Sequence, residues 1–111
     1  ILDCAEIVIG ANTLLGPNIG IYSANHAIDA EERIKGGCAG KSVHIGKNVW
    51  LGGDVKVLGG VTIGDNTIIG TGSIVTKDIP ENVIAVGNPC RVLREITEAD
   101  KTDYLKTLER K

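Results

Sequence analysis

Aliphatic residues recur at every sixth position along most of this chain of 111 residues. The main row comprises Ile9, Leu15, Ile21, Ile45, Leu51, Val57, Ile63, Ile69 and Val75. A second aliphatic row lies two positions earlier in most hexads, and glycine often follows the main row. A strict period of six fits neither an α-helix nor an isolated β-hairpin. It is typical of a hexapeptide β-helix, in which each hexad forms one short strand and one corner.

The hexads therefore predict an all-β fold, a left-handed parallel β-helix with a triangular cross-section. Three hexads make one coil of roughly 18 residues, and the coils stack at the usual strand spacing of ~4.8 Å. The aliphatic residues point into the prism, while Gly, Asn and Asp take the corners, where positive φ is common. Because a single coil cannot bury its inner face, stability must come from stacked neighbours.

Residues 27–42 interrupt the repeat with a charged, non-repeating segment. Ala27, Arg33 and Ala39 hold positions where the hexads would place inward aliphatic residues. Arg33 cannot fill a narrow apolar prism, so we predict a loop that is extruded from the coils. Long loops inside compact repeat domains are uncommon and often functional.

The two ends of the chain lead to separate predictions. Residues 1–3 read as the middle of a strand, so we expect the chain to be a fragment. Residues 1–94 are predicted to form the β-helix domain, and residues 95–111 a C-terminal helix that caps the open end of the prism. Within that tail, Thr97 and Asp100 have the spacing of a helix capping box.

Composition narrows the class of protein further. Phe and Met are absent, so aliphatic side chains must fill the core. The formal net charge is -2 and there is no long apolar run, so we expect neither nucleic acid nor membrane binding. The three cysteines lack the spacing of metal ligands, and a reducing cytoplasm is the simplest setting for them.

Two histidines are candidates for chemistry. His26 lies where the repeat stops and the predicted loop begins. An imidazole at the mouth of a loop can act as a general base near neutral pH, and a plain surface histidine is the alternative interpretation. His44 lies between Val43 and Ile45, so strand alternation points it outward and indicates a structural role.

Aromatic and cationic side chains supply further candidates. Trp50, the single tryptophan, is too large for a corner and should lie on the outer surface, where it either stacks on a ligand or forms a contact between subunits. Lys77, Arg91 and Arg94 follow the glycine-rich segment 70–73, and such cations could hold phosphates. Solvated cations near a C-terminus are the simpler interpretation of this cluster.

A combination of longer strings is more specific than the hexads alone. These strings are Tyr22-Ser23-Ala24-Asn25-His26, Asp29-Ala30-Glu31-Glu32-Arg33, Val49-Trp50-Leu51-Gly52-Gly53, residues 59–66, Val75-Thr76-Lys77-Asp78-Ile79-Pro80 and residues 86–92. Together they resemble the maltose/galactoside O-acetyltransferase group of hexapeptide-repeat acyltransferases, over about residues 2–95. The resemblance implies a homotrimer with active sites between neighbouring prisms. It also implies acetyl transfer from acetyl-CoA to a hydroxyl of a sugar or related acceptor, without a metal and without a covalent enzyme intermediate.

The same resemblance implies roles for individual residues. By position, His26 is similar to the family's catalytic base. The residues implied at the cofactor are Trp50, Gly53, Thr71, Thr76, Lys77, Arg91 and Arg94. Gly53 and Thr71 resemble positions whose backbone amides contact the thioester end and the pantetheine arm. Asp3 or Cys4 falls where the family often has an acidic residue near the acceptor sugar.

Three alternatives remain open at this point. The γ-class carbonic anhydrases use a trimeric β-helix with a His₃ zinc site, although this chain has only two histidines. A β-helix of this kind can also serve as a non-catalytic assembly scaffold. Finally, related hexapeptide acetyltransferases act on serine, amino-sugars or antibiotics.

Overall fold

Parallel strands stacked on three faces form the body of the molecule. The computed structural model describes residues 5–36 and 39–108. Face 1 contains β1 (Ile7–Ile9), β6 (Val43–Ile45) and β9 (Thr62–Ile63). Face 2 contains β2 (Leu14–Leu15), β7 (Trp50–Leu51), β10 (Ile68–Ile69), β12 (Val83–Gly87) and β13 (Cys90–Glu95). Face 3 contains β3 (Gly20–Ile21), β8 (Lys56–Val57) and β11 (Ile74–Val75). The chain visits faces 1, 2 and 3 in turn, so it winds as a triangular β-helix.

The predicted inward row fills the prism from Ile21 onward. Leu51, Val57 and Ile69 are completely buried, and each lies against residues of the neighbouring coils. Ile9 and Leu15 belong to the same row in the first coil, where they remain 37% and 44% exposed. The exposure of these two side chains follows from stacking, because among the described residues a coil covers them on one side only. Ile21 of the same coil is completely buried at the base of the segment that interrupts the repeat.

Asparagines hold the corner between faces 1 and 2, which we call corner 1–2. Asn48, Asn66 and Asn82 adopt left-handed backbone angles, with φ of 56°, 62° and 56°. Asn tolerates this conformation better than other residues with a Cβ. Asn48 Nδ2 donates to Asn66 Oδ1 at 3.0 Å, and Asn66 Nδ2 donates to Asn82 Oδ1 at 3.0 Å. This ladder joins successive coils on the outside of the prism.

Strand register shows where the repeat is interrupted. Ile45 pairs with Ile63, 18 positions later, as expected for one coil. Ile9 pairs with Ile45, 36 positions later, although the two strands are neighbours on face 1. The additional 18 residues therefore lie outside the stack. They form the extruded segment. The 24 positions from Ile21 to Ile45 are a whole number of hexads only by a coincidence of length.

The extruded segment is closed by a short antiparallel pair of strands. These are β4 (Ala24–Asn25) and β5 (Ala39–Gly40). Between them, α1 (Ala30–Lys35) begins after Asp29, whose Oδ2 accepts a hydrogen bond from Glu32 N–H at 3.0 Å. No residue of α1 is buried, and Arg33 is exposed as its charge requires.

The C-terminal tail is divided into three elements rather than forming one helix. β13 runs antiparallel to β12 and ends at Glu95. A 3₁₀ turn follows at Glu98–Asp100, and α2 covers Tyr104–Leu108. The Asp100 carboxylate accepts the Thr97 N–H at 2.8 Å, as in the predicted capping box. No residue of α2 is buried, so a capping role for the tail stays a prediction.

Candidate active site

His26 lies at the neck of the extruded segment, at the corner between faces 3 and 1. It directly follows β4, and its backbone N–H donates to Asn25 Oδ1 at 2.9 Å. The neck is closed by Lys41 N–H, which donates to Ser23 O at 2.8 Å. The His26 side chain is exposed. The imidazole is thus carried on the surface of corner 3–1.

Glycines beneath the neck allow it to lie close to the next coil. A Cβ on Gly59 would lie 3.3 Å from Tyr22 O and 3.4 Å from Lys41 O. Gly60 has φ +86°, and its N–H donates to Ser42 O at 3.1 Å. The backbone of the second coil therefore supports the base of the segment that carries the imidazole.

Thr76 and Lys77 occupy the same corner, one coil further along. They directly follow β11, whose Val75 pairs with Val57 of the coil above. Both side chains are exposed. Two coil spacings, ~10 Å, separate the coil of His26 from that of Lys77 along the prism axis. The structure thus brings His26, Thr76 and Lys77 onto one corner.

Gly53 and Thr71 lie one above the other at the corner between faces 2 and 3. Gly72 N–H donates to Gly53 O at 2.9 Å, which joins the two turns. Among residues 5–36 and 39–108, no acceptor takes the N–H of Gly53 or of Thr71. At corner 1–2 the corresponding N–H of Lys47 donates to the Asp65 carboxylate at 2.8 Å. Corner 2–3 therefore offers two peptide donors, one coil apart, to a ligand.

Trp50 lies on the outer side of face 2, as predicted, and is 52% exposed. Its partners on the neighbouring strands are Leu14 and Ile68, and Ile68 in turn pairs with Ile84. Because paired residues project from the same side of a sheet, these four side chains form an apolar outer row. Leu14 is 64% exposed within it.

Arg91 and Arg94 lie on β13, at the edge of face 2. Arg94 pairs with Ile84, so it extends the outer row that contains Trp50. Its Nη2 donates to Asp100 Oδ1 at 2.8 Å and its Nη1 to Asp100 Oδ2 at 2.9 Å. The hydrogen bond from Arg94, followed by that from Thr97 N–H, lowers the pKa of Asp100 from 3.8 to about 2. Arg91 is exposed and forms no ion pair within the described part of the chain.

The predicted residues consequently divide into two groups within one chain. His26, Thr76 and Lys77 belong to corner 3–1. Trp50, Gly53, Thr71 and the two arginines belong to face 2 and its borders. In a triangular prism corner 3–1 lies opposite face 2, so the two groups do not meet within one chain. Asp3 and Cys4 lie outside the described residues.

Other polar features of the described residues suggest structural roles. An open groove of about 420 Å³ on face 1 is lined in part by His44, Lys47 and Glu81 and contains none of the predicted site residues. His44 points outward there, as strand alternation predicts. Burial raises the pKa of the Cys90 thiol, which makes it a poor nucleophile.

The pairing of Arg94 with Asp100 was not predicted from the sequence. Its spacing from Thr97 indicated a capping box, which explains one of its hydrogen bonds. Its six-residue separation from Arg94 corresponds to no regular helix or strand spacing, so only the fold reveals that pair. Within the described residues, no three His, Cys, Asp or Glu side chains are grouped as metal ligands, and no helix is long and apolar enough to cross a membrane.

Comparison with known proteins identifies the type of repeat that builds these coils. The bacterial transferase hexapeptide family (six repeats) matches residues 42–77. This part of the chain therefore consists of hexapeptide repeats. Its fold is the left-handed parallel β-helix that the hexads predict.

The chain resembles sugar acetyltransferases over most of its length. Galactoside O-acetyltransferase from Escherichia coli is 49% identical over 106 residues, which are 96% of this chain and 52% of the relative. The crystal structure of a maltose O-acetyltransferase from Clostridium difficile is 56% identical, with a TM-score of 0.85, and covers 88% of this chain and 52% of that one. A galactoside acetyltransferase in complex with coenzyme A is 49% identical, with a TM-score of 0.86, and covers 89% and 50%. The predicted resemblance is confirmed, and the chain spans about half the length of these relatives.

Proposed function

We propose that this chain forms part of an acetyl-CoA-dependent O-acetyltransferase that acetylates a hydroxyl of a sugar or a related small acceptor. The observation that carries the proposal is the close likeness, over nearly nine tenths of the chain, to a galactoside acetyltransferase that binds coenzyme A. The free peptide donors of Gly53 and Thr71 add support, because they suit the amide-rich arm of that cofactor.

The division of the site residues supports a homotrimer. His26 and Trp50 of one chain lie on opposite sides of the prism, so one active site needs residues from two copies. Packing corner 3–1 of one copy beside the apolar row of face 2 of the next brings both groups to one cleft. Such a head-to-tail contact forms a closed ring when its rotation is 120°, and it creates three equivalent sites.

In the proposed reaction His26 is the general base. It removes the proton from the acceptor hydroxyl as the oxygen attacks the thioester carbonyl carbon. Hydrogen-bond donors at the carbonyl oxygen stabilise the negative charge that develops there. When the C–S bond breaks, His26 returns the proton to the departing sulfur, so transfer is direct and the protein forms no covalent intermediate.

The remaining residues hold the acyl donor. Trp50 offers an exposed aromatic face for stacking, and the N–H groups of Gly53 and Thr71 bind the thioester end and the pantetheine arm. Thr76, Lys77, Arg91 and Arg94 contact the phosphates at the nucleotide end. This residue set requires no metal ion. A cytoplasmic location belongs to the proposal, since the unpaired thiol of Cys90 suits a reducing compartment.

Replacement of His26 tests the assignment of the base. We expect His26→Ala to lower kcat by at least about 10²-fold, with little change in the affinity for acetyl-CoA, because general base catalysis contributes ~10²–10⁴-fold. Release of free thiol measures the rate, and isothermal titration calorimetry measures binding. His44→Ala is the matched control, since His44 is an exposed histidine on another face. Near-normal turnover in His26→Ala would remove His26 from the mechanism.

A panel of acceptors distinguishes the remaining hypotheses about which molecule is acetylated. Galactosides, maltose, glucose, serine, an amino-sugar and an aminoglycoside are each incubated with acetyl-CoA, and free thiol is measured. We expect the sugar hydroxyls to be the best acceptors. Failure of the wild-type protein to bind CoA would instead favour a non-catalytic scaffold.

A further inference from the structure

Arg94 is held by three acceptor oxygens from two residues. Its Nη1 donates to Asp100 Oδ2 at 2.9 Å and to Glu95 O at 3.0 Å, and its Nη2 donates to Asp100 Oδ1 at 2.8 Å. A guanidinium has five N–H donors in a fixed planar fork. Three of them are used in this arrangement. The other two, on Nε and Nη2, meet no acceptor within residues 5–36 and 39–108.

The two remaining donors form one edge of the guanidinium. The Nε–H and the second Nη2–H point in nearly parallel directions on the side away from Nη1. This is the geometry in which arginine binds two oxygens of a phosphate at once. The bonds to Asp100 and Glu95 therefore leave Arg94 with a free edge suited to a phosphate group.

Asp100 is itself fixed, so it can act as a support. Its Oδ2 accepts Thr97 N–H at 2.8 Å, and its own N–H donates to Thr97 O at 3.0 Å within the 3₁₀ turn. With a pKa of about 2, the carboxyl is ionised at any neutral assay pH. The side chain that orients Arg94 is thus anchored to the backbone and carries a permanent charge.

The position of this pair matches the far end of the proposed cofactor. Arg94 pairs with Ile84 and continues the outer row that begins at Leu14 and contains Trp50. Three strand spacings, or ~14 Å, separate Trp50 from Arg94 along face 2. A ligand whose acyl end lies at Trp50 would bring its nucleotide end toward Arg94.

We propose that Asp100 is a positioning residue, which orients the free edge of Arg94 toward the phosphate monoester of coenzyme A. This inference rests on the proposed function. Coenzyme A carries a single phosphate monoester, on its ribose 3′ oxygen, and dephospho-CoA lacks it. The negative charge of Asp100 also repels a phosphate and competes for Arg94, and these two effects would weaken the binding of coenzyme A. The sign of the change on removing Asp100 therefore decides between support and competition.

The test compares two ligands that differ only in that phosphate. Calorimetry measures the Kd of CoA and of dephospho-CoA for the wild-type protein, Asp100→Asn and Glu98→Gln. We expect Asp100→Asn to weaken CoA binding by about 3- to 10-fold and dephospho-CoA binding by less than about 2-fold, because the charge-assisted bidentate support is lost. Glu98→Gln removes the same charge from the same turn, where Glu98 pairs with Lys101 at 2.9 Å, and should leave both Kd values unchanged.

Each of the other possible results contradicts either the positioning role of Asp100 or the proposed function. Tighter or unchanged CoA binding in Asp100→Asn would refute the positioning role. An equal loss for both ligands would also refute it, because a general structural defect does not distinguish the phosphate. Normal dephospho-CoA binding serves as the check that the variant is folded. If the wild-type protein binds neither ligand, the proposed function itself fails.

Discussion

Gly60 provides the sharpest test of how corner 3–1 supports the segment that carries His26. Its φ of +86° lies in the left-handed region, where a residue with a Cβ costs about 1–2 kcal/mol. A Cβ there would lie 3.3 Å from Lys41 Cδ, which belongs to a flexible side chain that can move aside. We therefore expect Gly60→Ala to reduce the free energy of unfolding by about 1–2 kcal/mol, nearly all of it from the backbone.

Gly60→Asn is the matched variant because it adds the same Cβ. Asn tolerates the left-handed conformation, as Asn48 and Asn66 show at corner 1–2. Equilibrium urea unfolding at one fixed protein concentration should give Gly60→Asn a loss of less than about 1 kcal/mol, clearly smaller than that of Gly60→Ala. If the two variants lose the same stability, contact with Lys41 rather than backbone strain is the cause, and our reasoning about this corner is wrong.

Two further predictions concern the residues along face 2. Trp50→Ala should raise the Kd of acetyl-CoA by about 3- to 10-fold through loss of stacking, measured by calorimetry. Native mass spectrometry of the same variant checks assembly, and dissociation into single chains would make Trp50 a subunit contact instead. The Asp100 carboxyl should titrate near pH 2 in a carboxyl-carbon NMR experiment. Because its folded pKa lies below 3.8, its pairing with Arg94 stabilises the tail above about pH 4 and is lost as pH falls through about 2. A midpoint near 3.8 would show that the pair does not persist in solution.

The fold could be predicted from the sequence because one physical requirement repeats at a fixed interval. Every coil must place an aliphatic residue such as Leu51 or Ile69 inside the prism and a corner residue such as Asn66 outside it. Arg33 indicated the extruded segment for the same reason, since a cation cannot enter that interior. The helical tail was predicted less well, because local propensity at residues 95–110 does not reveal the 3₁₀ turn at Glu98–Asp100 or the left-handed φ of 50° at Asp103, which divide it.

The candidate site was harder to predict because the relative positions of its residues depend on the fold and not on their spacing in the sequence. Sequence order places His26 and Trp50 in different coils, but only the order of the three faces shows that they lie on opposite sides of the prism. The resemblance to acetyltransferases suggested the role of each residue and active sites between neighbouring subunits, while the order of the faces within one chain is a finding of the structure. The support of Arg94 by Asp100 depends on a turn that has no repeat and no regular spacing.

The pairing of β4 with β5 has an evolutionary consequence. Asn25 pairs with Ala39, so the extruded segment leaves and re-enters the prism at the same corner. Residues inserted or deleted between these two positions change only the length of a closed loop, and each doubling of that length costs only about 0.6 kcal/mol. The phase of the coils is unaffected. Descendants of one ancestral scaffold can therefore diversify this loop while the stacked coils are inherited unchanged.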